Sequence, residues 1–186
     1  MSKTHVFLDT ETTGFGKFAN RPREDAIVEV GFAYRIDGAV RKWDSMCNPG
    51  KRYLDNNRAA EALAVSHIDL TEIMFAQPSM KVSTQLNEAL MAAGEPEDLV
   101  LHAYNIPFDR YFLGLDPWTV GKEYQWGEDV MDMAHDFFQL PAEYKIGLKR
   151  SLERLGLNPD GEPHRAVTDA VSAMMVYEAI VSRSRD

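Results

Sequence analysis

The sequence contains little cysteine and no long hydrophobic run. Its 186 residues include a single cysteine, Cys47, so the chain can form no internal disulfide and no zinc site built on paired cysteines. The apolar run nearest the N-terminus, Val6-Phe7-Leu8, is too short for a signal peptide, and no stretch approaches the ~20 apolar residues of a membrane span. We therefore expect a soluble, cytoplasmic protein with no membrane partner.

Basic residues are fewer than acidic ones. The chain has 20 Lys and Arg residues against 29 Asp and Glu residues, which gives a formal net charge of −9. This balance argues against a protein that coats nucleic acid through a broad basic face. It does not exclude an enzyme that grips a strand end locally, because acidic residues gathered around divalent metals add to the negative count.

The order of predicted elements indicates the fold class. No repeat, low-complexity tract or composition shift divides the chain, so we predict a single domain over residues 1–186. A hairpin signal at Asp37-Gly38 and three β-prone runs predict an antiparallel meander; the runs are Val6–Leu8, Ile27–Tyr34 and Val40–Met46. Helical spacing predicts helices near 82–93, 148–155 and 166–182, and 99–101 is a short buried strand. We predict an α/β domain with helices flanking a mixed central sheet, an antiparallel meander plus parallel strands.

Asp9 and Glu11 are the first candidates for a functional site. They are two residues apart on a predicted strand, so both carboxylates point to the same face. A divalent cation is the simplest way to offset their repulsion, because Mg²⁺ and Mn²⁺ prefer hard oxygen ligands. Taken alone, a solvent-facing acidic pair at the end of an edge strand explains this common pattern more simply. The apolar residues before Asp9 and the turn at Thr13-Gly14 favour the metal site.

Asp109 is the second acidic candidate. In Asn105-Ile106-Pro107-Phe108-Asp109, the proline predicts the start of a helix with Asp109 in its first turn, where the helix dipole favours an ionised carboxylate. Taken alone, this aspartate merely complements the dipole. It follows a predicted strand, however, and strand-to-helix junctions are where sites gather in α/β proteins.

The third candidate segment is His164-Arg165-Ala166-Val167-Thr168-Asp169. Pro163 predicts that His164 lies at the entry to the last helix, where it can turn back toward a site. Asp169 lies at the margin of a polar arc of that helix; the arc includes Thr168 and Ser172, and the opposite apolar side includes Val167 and Val171. Taken alone, His164 is a solvated loop residue and Asp169 a surface charge.

These candidates together resemble a known family. The order Asp9, Glu11, Asp109, His164, Asp169, with three matched local spacings, resembles the DEDDh branch of the DEDD 3′–5′ exonuclease superfamily, which is DnaQ-like and includes RNase T and the proofreading subunit of bacterial replicative polymerase. The matching segments are Phe7–Gly14, Asn105–Asp109 and His164–Asp169, within a resemblance from Val6 to about Ile180. The sister branch carries a tyrosine at the position of Arg165, so His164 selects the DEDDh branch.

The resemblance implies a fold, an activity and a set of site residues. The fold is ribonuclease H-like, and the activity is hydrolysis of phosphodiester bonds at nucleic-acid 3′ ends by a two-metal-ion mechanism that releases nucleoside 5′-monophosphates. We expect DNA, especially single-stranded DNA, to be favoured over RNA. Two Mg²⁺ ions, for which Mn²⁺ substitutes, would be bound by Asp9, Glu11, Asp109 and Asp169, and His164 would act as general base. Substrate contacts would come from Thr10, Thr12, Leu63, Asn105 and Phe108.

The sequence departs from the family pattern in two places. Tyr104-Asn105 stands where the second motif commonly reads His-Asn; a tyrosine at this position also occurs in relatives. Residues 65–68 read Val-Ser-His-Ile where the family often has Val-His-Gly-Ile, and residues 62–65, which include Leu63, still fit the region that wedges against the terminal base.

Three alternatives stay open. The first is an exoribonuclease with the same chemistry. The second is a catalytically silent module that binds either nucleic-acid ends or a polymerase. The third is a proofreading subunit of a separate polymerase. The last helix ends close to the C-terminus, which favours a stand-alone enzyme. The expected partners are nucleic-acid 3′ ends, with a DNA polymerase or a second copy of the chain as further partners.

The remaining candidates have simpler explanations. We interpret His5, His67, His102 and His135 as structural or surface residues, and Met131, Met133, Met174 and Met175 as core. Trp118, Tyr124 and Trp126 are expected to pack over the core rather than stack on bases. A basic loop either binds substrate phosphates or is merely solvated; it contains Lys17, Arg21 and Arg23.

Overall fold

The computed structural model describes residues 3–20, 23–159 and 161–184. Within these residues a mixed six-stranded sheet has the order β4-β3-β2-β1-β5-β6. The strands are β1 (Thr4–Thr12), β2 (Ile27–Ile36), β3 (Ala39–Asn48), β4 (Gln77–Pro78), β5 (Leu99–His102) and β6 (Gln125–Trp126). β1, β2 and β3 pair antiparallel, whereas β4, β5 and β6 each run parallel to their neighbour. The predicted meander plus parallel strands is therefore confirmed.

The hairpin between β2 and β3 follows from its two turn residues. Asp37 and Gly38 both have positive φ, 50° and 78°. A two-residue hairpin turn needs this conformation because it matches the twist of the flanking strands, and Asp-Gly adopts it readily.

Helices cover both faces of the sheet. They are α1 (Lys51–Leu54), α2 (Asn57–Ser66), α3 (Leu70–Phe75), α4 (Ser79–Ala93), α5 (Ile106–Phe112), α6 (Val120–Glu123), α7 (Val130–Phe137), α8 (Leu148–Leu155) and α9 (Ala166–Arg183). Side chains of β1 alternate between two cores: Val6 and Leu8 pack with α4, α5 and α6, and Phe7 packs with α7, α8 and α9. The predicted α/β layering is confirmed.

β1 is longer than the strand beside it. The parallel pairing of β1 with β5 ends where Phe7 meets His102, while β1 continues to Thr12. Beyond this point β2 still pairs with β1 on the other side. The helix that follows β5 therefore lies next to the last residues of β1, and this places the second motif beside the first.

The start of α9 lies directly on the sheet at Gly31. This glycine pairs with Asp9 across the β1–β2 ladder. A Cβ atom at Gly31 would lie 2.5 Å from the backbone nitrogen of Val167 and 2.8 Å from the carbonyl carbon of Ala166. Only a residue without a side chain lets the backbone of α9 approach β2 this closely.

Gly31→Ala is expected to destabilise the protein by about 1–3 kcal/mol, because the new methyl group meets backbone atoms that move only with the whole helix. Urea unfolding followed by circular dichroism measures the change. Gly147→Ala is the matched control, since a Cβ there meets nothing within 4 Å and its φ is −77°. Equal unfolding midpoints for Gly31→Ala and wild type would show that α9 moves away from the sheet at no cost.

The predicted polar arc of α9 is wrong for two residues. Thr168 and Ser172 are buried, and Val167 and Val171 on the predicted core side are only partly buried. The Ser172 hydroxyl donates to the Thr168 carbonyl at 2.8 Å, so its burial leaves no polar atom unpaired. The small buried residues Ala166, Ala170 and Ala173 let this side of the helix contact the sheet closely.

Most of the structural interpretations from sequence are confirmed. Trp118 and Tyr124 are buried, and Trp126 packs against the same core. Met174 is buried, and Met131 and Met133 pack against its cluster. His102 is buried and hydrogen-bonds to His5, while His67 and His135 lie on or near the surface. Over the described ranges, no helix has both the length and the apolar character needed to cross a membrane.

Candidate active site

The alternation of side chains along β1 places the carboxylates of Asp9 and Glu11 on the same face of the sheet. Asp9 and Glu11 lie on the face of β1 that packs under α9, as predicted, and Thr10 lies on the other face. Both acidic residues are only partly buried, because they lie near the end of β1, beyond the residues that pair with β5. The site therefore opens at one edge of the sheet.

Asp109 approaches from the first turn of α5. Its side chain is 3% exposed, and the Thr10 hydroxyl donates to Asp109 Oδ1 at 2.8 Å. The helix is held in place by Asp129, which accepts from the Ile106 N–H at 2.7 Å and from the Met131 N–H at 2.9 Å. One carboxylate thus ties the start of α5 to the start of α7.

His164 and Asp169 are brought to Glu11 by a tight entry into α9. His164 has φ of 62°, a left-handed conformation that turns the chain back just before the helix. Ligand atoms of Glu11, His164 and Asp169 all lie within 4.8 Å of one another. His164 is exposed to solvent and Asp169 is partly buried. The two residues that a continuous helix would have separated therefore meet at the same strand residue.

The site concentrates negative charge in a partly buried volume. Burial, followed by the charges of Asp109, Asp169 and Glu11, raises the pKa of Asp9 well above its ordinary value. Burial and the nearby Asp169 raise the pKa of Glu11 to about 8. Burial raises the pKa of Asp109 to about 7, although the hydrogen bond from Thr10 opposes the shift. Burial raises the pKa of Asp169, and His164 opposes that shift. A cluster of this kind favours protons or cations strongly.

The residues expected to contact substrate differ in accessibility. Asn105 is exposed and Phe108 is partly exposed. The Thr10 hydroxyl is engaged by Asp109, and the Thr12 hydroxyl donates to the Gly14 carbonyl at 2.6 Å. Leu63 is 5% exposed and packs with Val28, Ile68 and Ile73. Asn105 and Phe108 are therefore the two whose side chains are open to a ligand; the contacts of all five stay predictions.

Phe108 belongs to an aromatic cluster formed with the loop between β1 and β2. The rings of Phe15 and Phe18 lie 6.4 and 5.7 Å from that of Phe108. Lys17 lies over the Phe18 and Tyr111 rings, at 5.1 and 4.6 Å. Of the predicted basic loop, Lys17 and Arg23 are exposed, and Arg21 lies outside the described residues.

Sequence reasoning missed Glu29 and Asp129. Glu29 is fully buried opposite Glu11 and binds Arg165 and the start of α9. The only sign of Glu29 in the sequence is a charged residue inside the apolar run Ile27–Ala33, and this pattern does not indicate which residue it would bind.

Tyr104, where the sequence departs from the family motif, connects β5 to α8. Its hydroxyl donates to the Ile146 carbonyl and lies 2.8 Å from Ser151 Oγ.

Comparisons with known proteins show the family to which the chain belongs. A family model described as "Exonuclease" matches residues 6–177. A DNA polymerase III subunit epsilon of Pasteurella multocida is 27% identical over 179 residues, which cover 92% of this chain and 66% of that protein. The chain thus spans just under two thirds of the length of this curated relative.

Solved structures share the fold at low sequence identity. A full-length 3′-exonuclease is 14% identical with a TM-score of 0.74, over 98% of this chain and 83% of that one. Cell-death related nuclease 4 (CRN-4) is 14% identical with a TM-score of 0.73, over 98% of this chain and 64% of that one. S. pombe Pop2p in its Mg²⁺- and Mn²⁺-bound form is 17% identical with a TM-score of 0.71, over 98% of this chain and 84% of that one. The predicted ribonuclease H-like fold is confirmed.

Proposed function

We propose that this chain, which belongs to the exonuclease family, is a 3′–5′ exonuclease that hydrolyses phosphodiester bonds at nucleic-acid 3′ ends. It releases nucleoside 5′-monophosphates by a two-metal-ion mechanism. The observation that carries the proposal is the convergence of Glu11, His164 and Asp169 within 4.8 Å, beside two further carboxylates, Asp9 and Asp109, of which Asp109 raises the pKa of Asp9. A catalytically silent module would have no need of this complete and mutually repelling set.

The donor set fits divalent metal ions. Asp9, Glu11, Asp109 and Asp169 would hold two Mg²⁺ ions, or Mn²⁺ in their place, because carboxylate oxygens are the ligands these ions prefer. When bound, the ions supply Lewis acidity to the scissile phosphate and to the attacking water. The structural neighbour Pop2p was solved with both Mg²⁺ and Mn²⁺, which supports the same choice here.

The other residues of the site would act as general base, hold a carboxylate in place and contact the substrate. The exposed imidazole of His164 accepts a proton from the attacking water, since a neutral histidine ring nitrogen is a proton acceptor. Thr10 holds Asp109 in one orientation through the 2.8 Å hydrogen bond. Asn105 and Phe108, which are accessible beside the acidic cluster, would contact the terminal nucleotide.

We propose DNA, especially single-stranded DNA, as the favoured substrate, and a DNA polymerase as a further partner. The support is the epsilon relative, which is a subunit of DNA polymerase III. RNA is the specific alternative, because one structural neighbour, at 14% identity and a TM-score of 0.70, is a 3′-exonuclease that recognises the 3′ end of a histone mRNA stem-loop.

One assay tests the activity and the substrate together. The purified protein is incubated with 5′-labelled single- and double-stranded DNA and RNA, with Mg²⁺, Mn²⁺ or chelator. We expect stepwise shortening from the 3′ end that chelator abolishes, fastest on single-stranded DNA. Faster shortening of RNA would replace the substrate assignment, and no cleavage of any substrate with metal present would favour the silent module.

A further inference from the structure

Buried Glu29 on β2 and partly exposed Arg165 form an ion pair beside the candidate active site. Glu29 is 0% exposed and lies directly opposite Glu11 in the β1–β2 register. Arg165 Nη2 donates to Glu29 Oε1 at 2.7 Å, and Arg165 Nε donates to both carboxylate oxygens at 3.1 Å. The guanidinium thus neutralises a carboxylate that would otherwise add one more negative charge to the acidic cluster.

The same carboxylate caps helix α9. Glu29 Oε2 accepts from the Ala166 N–H at 3.0 Å, and Ala166 is the first residue of the helix. Arg165 occupies the N-cap position but its side chain makes no capping bond, so the acceptor comes from the neighbouring strand. An anion at this end also complements the helix dipole.

The pair fixes the segment that carries two of the candidate active-site residues. His164 directly precedes Arg165, and the Asp169 N–H donates to the Arg165 carbonyl at 3.0 Å. Both residues meet Glu11, which is the cross-strand neighbour of Glu29. One bidentate contact thus joins the strand that faces Glu11 to the turn that carries His164.

We propose that the Glu29–Arg165 pair is a positioning device that holds His164 and Asp169 in place against Glu11. The inference rests on the proposed function, in which His164 is the general base. Neither Glu29 nor Arg165 supplies a reacting atom, so both act through the residues they hold. Arg165 stands at the position where the sister branch has tyrosine, and its guanidinium would be the positively charged member of the pair.

A second ion pair joins the same two elements and is a matched control. Arg35 on β2 donates to both oxygens of Glu178 on α9, at 2.7 and 2.9 Å. Both side chains are more than a third exposed, and the pair lies toward the other end of the helix. Glu178→Gln removes its charge complementarity without touching the active site.

The first experiment compares Arg165→Lys and Glu29→Gln with wild type and Glu178→Gln on a single-stranded oligonucleotide with saturating Mg²⁺. Lysine keeps the charge but cannot form the planar bidentate contact, and glutamine keeps an acceptor for the Ala166 N–H. We expect kcat to fall about 10- to 100-fold in both variants of the pair, with KM little changed. Glu178→Gln should retain the wild-type kcat. A wild-type kcat in folded Arg165→Lys and Glu29→Gln would overturn the proposal.

A double-mutant cycle tests whether the pair acts through His164. In a His164→Asn background, Arg165→Lys should lower kcat by a clearly smaller factor than in wild type, because only Asp169 is then left for the pair to position. Equal losses from Arg165→Lys with and without His164 would show that the pair does not act through His164, and would contradict the proposal.

A spectroscopic measurement separates this proposal from the proposed function. Mn²⁺ added to the wild-type protein should broaden the NMR signals of the His164 ring, and Arg165→Lys should weaken that broadening while Glu178→Gln should not. The broadening can be measured whether or not the protein cleaves nucleic acid. If the wild-type protein hydrolyses no substrate, the proposed function fails but the positioning role is still tested by the broadening. Unchanged broadening in folded Arg165→Lys defeats the positioning role.

Discussion

His164→Ala is expected to lower kcat by about 10²- to 10⁴-fold while leaving metal affinity and KM close to wild type. The imidazole is exposed and within 4.8 Å of ligand atoms of Glu11 and Asp169, so it can reach a water beside the carboxylates. Loss of a general base removes stabilisation made mainly in the transition state, and this lowers kcat rather than raising KM.

Two further variants separate the lost imidazole from a strained backbone. His164 has φ of 62°, which alanine tolerates poorly and asparagine readily. His164→Asn should therefore show the same loss without a backbone defect, and His135→Ala, on α7 away from the site, should keep the wild-type rate. Single-turnover cleavage with saturating Mg²⁺ measures the rate, and Ca²⁺ calorimetry measures metal affinity. A wild-type rate in His164→Asn at neutral pH would refute the general-base assignment.

Asp9→Asn is expected to abolish activity and to stabilise the metal-free protein. In the proposed function Asp9 is a metal ligand, and its loss should cost about 10³-fold or more in kcat, since several kcal/mol of charge stabilisation depends on the ions. Without metal, burial and the charges of Asp109, Asp169 and Glu11 disfavour ionisation of Asp9 and raise its pKa. Asparagine removes this repulsion at nearly constant volume, so the midpoint of thermal unfolding in chelator should rise.

The same repulsion predicts how stability depends on pH. The pKa values of Glu11 and Asp109 are raised to about 8 and about 7, so the folded state binds protons that the unfolded state does not. The free energy of unfolding in chelator should therefore increase as pH falls from 9 to 7, by up to about 1.4 kcal/mol per pH unit for each group taking up a proton. Saturating Mg²⁺ should reduce this dependence, because the carboxylates then stay ionised.

Chemical unfolding at several pH values, with chelator and with Mg²⁺, checks both statements. Asp69→Asn is the control, since Asp69 caps α3 at the surface and asparagine caps a helix equally well. We expect its pH dependence to match that of wild type. If stability in chelator were flat between pH 9 and 7, or if Asp9→Asn were less stable than wild type, the carboxylates would not repel one another in the folded protein.

The local elements could be predicted because their signals lie within a few residues. Strand alternation placed Asp9 and Glu11 on one face, Asp37-Gly38 set the hairpin, and Pro107 marked the start of α5. The family could be recognised for the same reason, since each motif is a short run with fixed internal spacing. The polar arc of α9 was misjudged because side-chain polarity does not reveal that Ser172 satisfies its own hydroxyl within the helix.

What the sequence by itself determined is therefore the element order, the three motifs and the family. Only the tertiary structure decided how the motifs meet. Gly31 lets α9 lie on the sheet, and β5 ends early enough for Asp109 to reach Thr10. Glu29, more than a hundred residues before Arg165 in the chain, ties down the turn that carries His164. These contacts depend on long-range packing, and no local pattern encodes which buried carboxylate will find which guanidinium.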